Sequence, residues 1–252
     1  MTEPLVTTTI DDDGVAVVTL ADPANRNALR LEVVRELAAA VTAVAAQDIG
    51  ALIVTAEPPV FCAGGSLDDL LNPRAPLSEM YAGFEALDAV TVPTIAAVNG
   101  AAIGAGANVA LACDIILIAD AATIDPRFLD IGIHPGGGHL RRLADRVGRQ
   151  GAAALSLCGD SLTGPEAEAA GLAWRSLPDA ELLPFAHKLA RRAAGRPREL
   201  MRRAKSTLDA SITAESFADV AAIELEVQQW STQQPEFRER VQAMKERIAK
   251  KG

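Results

Sequence analysis

The chain has few aromatic residues: two Trp, one Tyr and six Phe in 252 positions. Its abundant alanine and glycine suit closely packed helices and tight turns better than a β-sandwich. Basic charge is also short. Lys and Arg total 24 against 33 Asp and Glu, a net charge of −9. Neutralising a phosphate backbone needs a basic face, so a general nucleic-acid binder is excluded. An anionic ligand can still be held by backbone N–H groups and a few local arginines. The three cysteines, Cys62, Cys113 and Cys158, are odd in number and carry no framework spacing. They are expected as buried thiols of a reducing, cytoplasmic compartment rather than as disulfides. With three histidines they make no zinc pattern, so no metal site is expected.

Targeting signals are missing too. Met1-Thr2-Glu3-Pro4 has neither the basic region nor the apolar stretch of a signal peptide. Thr94–Ala112 is apolar enough to prompt a membrane check. Asn99, Gly100, Gly104, Gly106 and Asn108 interrupt it, so it reads as a buried strand, a loop and a buried helix. What remains is an ordinary soluble composition, 49% hydrophobic and 23% charged, long enough to bury a substantial core.

Along the chain, Leu5–Ile10 and Val15–Leu20 are β-type runs joined by Asp11-Asp12-Asp13-Gly14, a hairpin signal. Leu31–Gln47 has helical periodicity, and Ala51–Thr55, Thr94–Val98 and Ile115–Ala119 read as strands. Short helices are expected at Leu67–Leu71, Met80–Val90 and near Gly106–Cys113. Pro126–Ile133 reads as extended or irregular. From Arg149 onward the chain reads as helix after helix. This is an α/β core over residues 1–195 and a helical region over 196–252, with Gly195-Arg196-Pro197 at the boundary.

Several site motifs fail on inspection. Gly64-Gly65-Ser66-Leu67-Asp68 lacks the last glycine of a nucleophile elbow. Gly104-Ala105-Gly106 has Val109 where a dinucleotide fingerprint needs its third glycine, and no P-loop occurs. Two small-residue segments survive, Val60–Leu67 and Asn99–Asn108. Each runs from a strand through residues without bulk into a helix. Their bare N–H groups could converge on an anionic oxygen. Equally, the small residues could serve close helix–sheet packing.

Phe61-Cys62-Ala63-Gly64-Gly65-Ser66-Leu67 resembles the F-C-A-G-A-D-L segment of the crotonase (enoyl-CoA hydratase/isomerase) superfamily. Asn99–Asp114 resembles that family's N-G-x-A-x-G-G-G-x-E-L-A-x-x-C-D segment. Gly132–Gly138 with Arg142-Leu143 resembles G-L-x-P-G-A-G-G-x-x-R-L. Asn25–Leu29, Gly164–Leu172, Pro197–Lys205 and Glu224–Arg247 resemble its remaining segments, in order, over nearly the whole chain. The resemblance implies a spiral of ββα units with a helical trimerisation region, assembled as a trimer or a dimer of trimers. It implies an acyl-CoA thioester as ligand, with no separate cofactor. The thioester oxygen would sit between the N–H groups of Gly65 and Ala105, beside Ala63.

The family's hydratases hold water with two glutamates. By this resemblance those positions are Asn108 and Phe128, which cannot exchange a proton near neutral pH. Asp130 is the first substitute, placed on the face of Phe128 if that stretch is extended. His134 and His139 could act as acid or base. Asp68 and Asp69 follow the first loop, and Ser66 caps the helix there. Arg26, Arg30 and Lys245 are candidates for the ligand's phosphates. A hydratase is the reading by resemblance. Rivals are an isomerase or hydrolase using Asp130 or a histidine, and a non-catalytic acyl-CoA binder. An Asp130 facing solvent would favour the binder.

Overall fold

The computed structural model describes residues 3–250, so the targeting reading at Met1 and Thr2 falls outside the described residues. The chain divides after Ala194 into two units.

In the first unit, β1 (Val6–Ile10) and β2 (Val15–Leu20) pair antiparallel. Asp11 Oδ1 accepts from the N–H groups of Asp13 and Val15, and Gly14 turns at φ +75°. β3 (Ala51–Ala56), β4 (Thr94–Val98), β6 (Ile115–Ala119) and β9 (Arg175–Leu177) extend this sheet in parallel, in the order β1-β2-β3-β4-β6-β9. β3 and β4 are buried at every position, as a parallel strand covered on both faces requires. α1 (Leu31–Ala45) lays Leu31, Val34, Leu37, Val41 and Val44 into the core, and α7 (Asp179–Ala194) packs Leu182, Ala186, Ala190 and Ala194 at four-residue spacing.

A second sheet, β5 (Ala102–Ile103), β7 (Thr123–Asp125) and β8 (Leu162–Thr163), has strands of two or three residues. Runs that short carry no period, so the sequence did not announce them. Pro126–Ile133 is not extended. Leu129–Ile131 forms a 3₁₀ turn closed by Gly132 at φ +72°. α5 (His139–Leu157) starts ten residues earlier than the sequence suggests, because Gly148 (φ +68°) breaks it between two helical halves. α2 (Leu67–Leu71), α3 (Ala82–Asp88), α4 (Ala105–Leu111) and α6 (Gly164–Ala169) complete this unit. The second unit is helical: α8 (Arg198–Thr213), α9 (Phe217–Thr232) and α10 (Pro235–Ala249). Ser216 caps α9 by accepting from Asp219 N–H, and Arg203 lies 4.2 Å above the Trp230 ring.

The two small-residue loops run side by side. Cys62 N–H donates to Ala101 O at 3.0 Å, and Ile103 N–H donates back to Cys62 O at 2.9 Å. A Cβ on Gly106 would lie 2.4 Å from Cys62 O, and one on Gly100 would lie 2.8 Å from Val60 Cα. These glycines are therefore demanded by backbone-to-backbone approach. Gly106→Ala should lower the urea midpoint by an amount equivalent to about 1–3 kcal/mol. An unchanged midpoint would show that the loops separate without cost.

Candidate active site

A cavity of about 720 Å³ opens in the first unit, and both loops line it. Gly64, Gly65, Gly104 and Ala105 form one wall. Gly64 (φ +96°) comes so near the second loop that a Cβ on it would lie 2.8 Å from Ile103 O and 3.8 Å from Ala105 N. Gly65 is held from behind, because Leu29 N–H donates to Gly64 O (2.7 Å) and Ser66 N–H donates to Leu29 O (3.2 Å). Ser66 Oγ then caps α2 by accepting from Asp69 N–H. Gly104, at φ +50°, reverses the chain so that Ala105 opens α4 with a donor that has no intrahelical partner. Among the described residues, neither Gly65 N–H nor Ala105 N–H has an acceptor. Two unpaired donors on one wall suit a single oxygen that gains negative charge.

Asn108 follows Ala105 by one helical turn and also lines the cavity. Its side chain is buried and committed. Nδ2 donates to Gly136 O at 2.9 Å, and Oδ1 accepts from His139 Nδ1 at 2.7 Å. A carbonyl can only accept, so the amide orientation follows. It places the imidazole proton on Nδ1 and leaves Nε2 bare. Nε2 is buried with no partner. The Phe128 ring meets the imidazole edge-on, with centroids 4.9 Å apart. Burial, with the nearby Arg142 charge, pushes the His139 pKa down to about 4. His139 is thus a neutral, enclosed group and does not line the cavity, so the expectation that it acts as an acid or base at pH 7 is corrected.

Asp130 is a second correction. The expected shared face with Phe128 required an extended stretch. In the observed 3₁₀ turn, residues two apart point about 120° apart. Phe128 therefore lines the cavity while Asp130 is exposed and outside it. Arg26 is a third. It caps a short 3₁₀ turn at φ +55°, and its exposed side chain does not line the cavity. Its carbonyl accepts from Ala63 N–H at 3.0 Å and so braces the first loop. Arg30 pairs with Asp22, Asp68 is exposed outside the cavity, and Lys245 lies exposed on α10 in the other unit.

Ala63 and His134 do line the cavity. His134 Nδ1 donates to Pro135 O at 2.7 Å, which leaves Nε2 as the acceptor. Asp69 is the one carboxylate among the described lining residues. It is occupied: Leu31 N–H donates to it at 3.0 Å, and the Arg74 guanidinium holds its carboxyl below the usual range. The sequence reading missed Arg74, Met80, Tyr81, Phe84 and Arg127, which also line the cavity. No spacing marks them, because they reach the site from the loop after α2, from α3 and its leading turn, and from the 126–128 bend.

The buried imidazole makes stability depend on pH. Its folded pKa lies below the ordinary 6.5, so the unfolded chain takes up the proton first as pH falls. Stability from this group is complete above pH 6.5. It should decline by on the order of 3 kcal/mol on approaching pH 4. Denaturant titrations at pH 7 and pH 4 should show that loss in the wild type and a flatter profile in His139→Gln. Equal profiles would refute the assignment.

Similarity to known proteins can be set beside this geometry. The enoyl-CoA hydratase/isomerase family model matches residues 11–251. A probable enoyl-CoA hydratase of Mycobacterium tuberculosis is 39% identical over 249 residues, covering 94% of this chain and 96% of the relative. A 2,3-dehydroadipyl-CoA hydratase of Escherichia coli is 34% identical, covering 77% of this chain and 78% of its own. The crystal structure of a probable enoyl-CoA hydratase/isomerase from Mycobacterium abscessus superimposes with a TM-score of 0.85 at 32% identity, over 96% of this chain and 95% of that one. With the family model matched over residues 11–251 and a relative 39% identical over nearly the whole chain, the chain belongs to the enoyl-CoA hydratase/isomerase (crotonase) family.

Proposed function

We propose that the protein binds an acyl-CoA thioester with its carbonyl oxygen between the N–H groups of Gly65 and Ala105, and stabilises the enolate formed when charge moves onto that oxygen. The observation that carries this reading is the pair of unpaired donors on one cavity wall. Stabilising a developing oxyanion costs no reorganisation when the donors are already held in place. Phe128, Phe84 and Met80 supply apolar surface for the acyl chain. Asn108 and Phe128 provide no carboxylate, so two-carboxylate activation of water is not the chemistry of these residues. His134 is the base in this reading. Its Nε2 is a free acceptor at the cavity, and it would move the proton of an isomerisation or hydration. The exposed apolar side chains Leu208, Phe217 and Ile248 of α8–α10 support a homotrimer or a dimer of trimers.

The solvent-facing Asp130 favours a second reading, in which the thioester is bound without turnover. Pure protein with crotonyl-CoA and a longer 2-enoyl-CoA separates the two. Loss of the conjugated thioester absorbance is followed, with binding by calorimetry alongside. The first reading expects turnover. Ala105→Pro places proline at the first helical position, where it is tolerated, and deletes the donor. It should reduce the rate by about 10²–10³ with the fold intact by circular dichroism. Binding without turnover would establish the second reading, and absence of binding would overturn both.

A further inference from the structure

Apart from the two N–H donors and His134, most side-chain polar groups of the cavity are already committed to the protein. Ser66, Asp69 and Asn108 have the protein partners described above, and Arg127 is paired with Asp125. Tyr81 is not committed. It ends the 3₁₀ turn Leu77–Tyr81 and its ring stacks on Phe84 with centroids 6.3 Å apart. Its hydroxyl has no hydrogen-bond partner among the described residues, although it lines the cavity.

The place of that hydroxyl is set by Gly136. A Cβ there would lie 2.2 Å from Tyr81 Oη. Gly136 O is the acceptor of Asn108 Nδ2, so the phenol and the Asn108 amide flank the same residue. Asn108 stands one turn beyond Ala105, about 5 Å along α4. The cavity thus carries a second hydrogen-bonding station, one short step past the Gly65–Ala105 pair. Asn108 Oδ1 is spent on His139, whereas the phenol O–H can donate, so this station can serve an acceptor.

We propose that Tyr81 is a specificity-determining residue that donates a hydrogen bond to a carbonyl oxygen on the third carbon of the acyl chain, so that the preferred ligand class is a 3-oxoacyl thioester. This rests on the acyl-CoA reading above and refines it. A saturated acyl chain covers the phenol without giving it a partner, whereas a 3-oxo group accepts its hydrogen bond. The side chain needs no proton transfer for this role.

Calorimetry with acetoacetyl-CoA and butyryl-CoA tests the assignment. The wild type should bind acetoacetyl-CoA about tenfold more tightly, the worth of one well-placed hydrogen bond. Tyr81→Phe should shrink that preference to about twofold, by weakening acetoacetyl-CoA binding and relieving the uncompensated phenol under butyryl-CoA. Gly136→Ala, whose Cβ would displace the hydroxyl while keeping it, should also shrink that preference. A tenfold preference that survives in Tyr81→Phe would overturn the proposal, since oxyanion-hole binding of the enol alone would then explain it. So would equal affinities in the wild type. If neither thioester binds the wild type, the acyl-CoA reading itself fails, and with it this one.

Discussion

Residues 61–65 and 100–106 lie at a separation that backbone atoms alone can fill. Two reciprocal hydrogen bonds at Cys62 join them, and glycines at 64, 100 and 106 leave no side chain between them. The site depends on this contact. It puts the first N–H of α4 beside the loop that leads into α2, and it keeps both donors free of protein acceptors. The parallel sheet behind supplies the rigidity, since β3 and β4, which feed these loops, are buried throughout. The burial that pushes the Cys62 thiol up to about 12 follows from the same closeness and leaves that cysteine unreactive.

A second constraint acts one helical turn away. A buried amide and a buried imidazole satisfy each other where a charged group would be costly to enclose. The arrangement is neutral on both sides, and Phe128 seals it. The donors at Gly65 and Ala105 therefore act beside a wall without ionised groups, where hydrogen bonds to a developing charge are strongest. The charged residues of the cavity, Asp69, Arg74 and Arg127, are held in ion pairs.

Much of this was legible in the sequence. Small residues between a strand and a helix, twice over, mark both loops. The order of the motifs marked the family. Asn108 and Phe128 were legible as cavity residues through the same resemblance. Asp130 was misread because a period of two was assumed across a stretch that turns with a period of three, and a run bounded by Pro126 and Gly132 carries too few residues to distinguish them. Tyr81 and Arg74 were missed because they come from a segment whose sequence repeats nothing and whose approach to the cavity depends on how α1 and α3 pack.

By itself the sequence determined the alternation of strands and helices, the two small-residue segments and the absence of carboxylates at Asn108 and Phe128. Those are local properties, set by periodicity, side-chain size and chemical type. The tertiary structure decided which polar groups face the cavity and which are already spent. His139 became neutral, Asp130 turned to solvent and Tyr81 was left with an unpaired hydroxyl. Each outcome depends on partners distant in the chain, and a side chain's protonation and availability are set by what surrounds it.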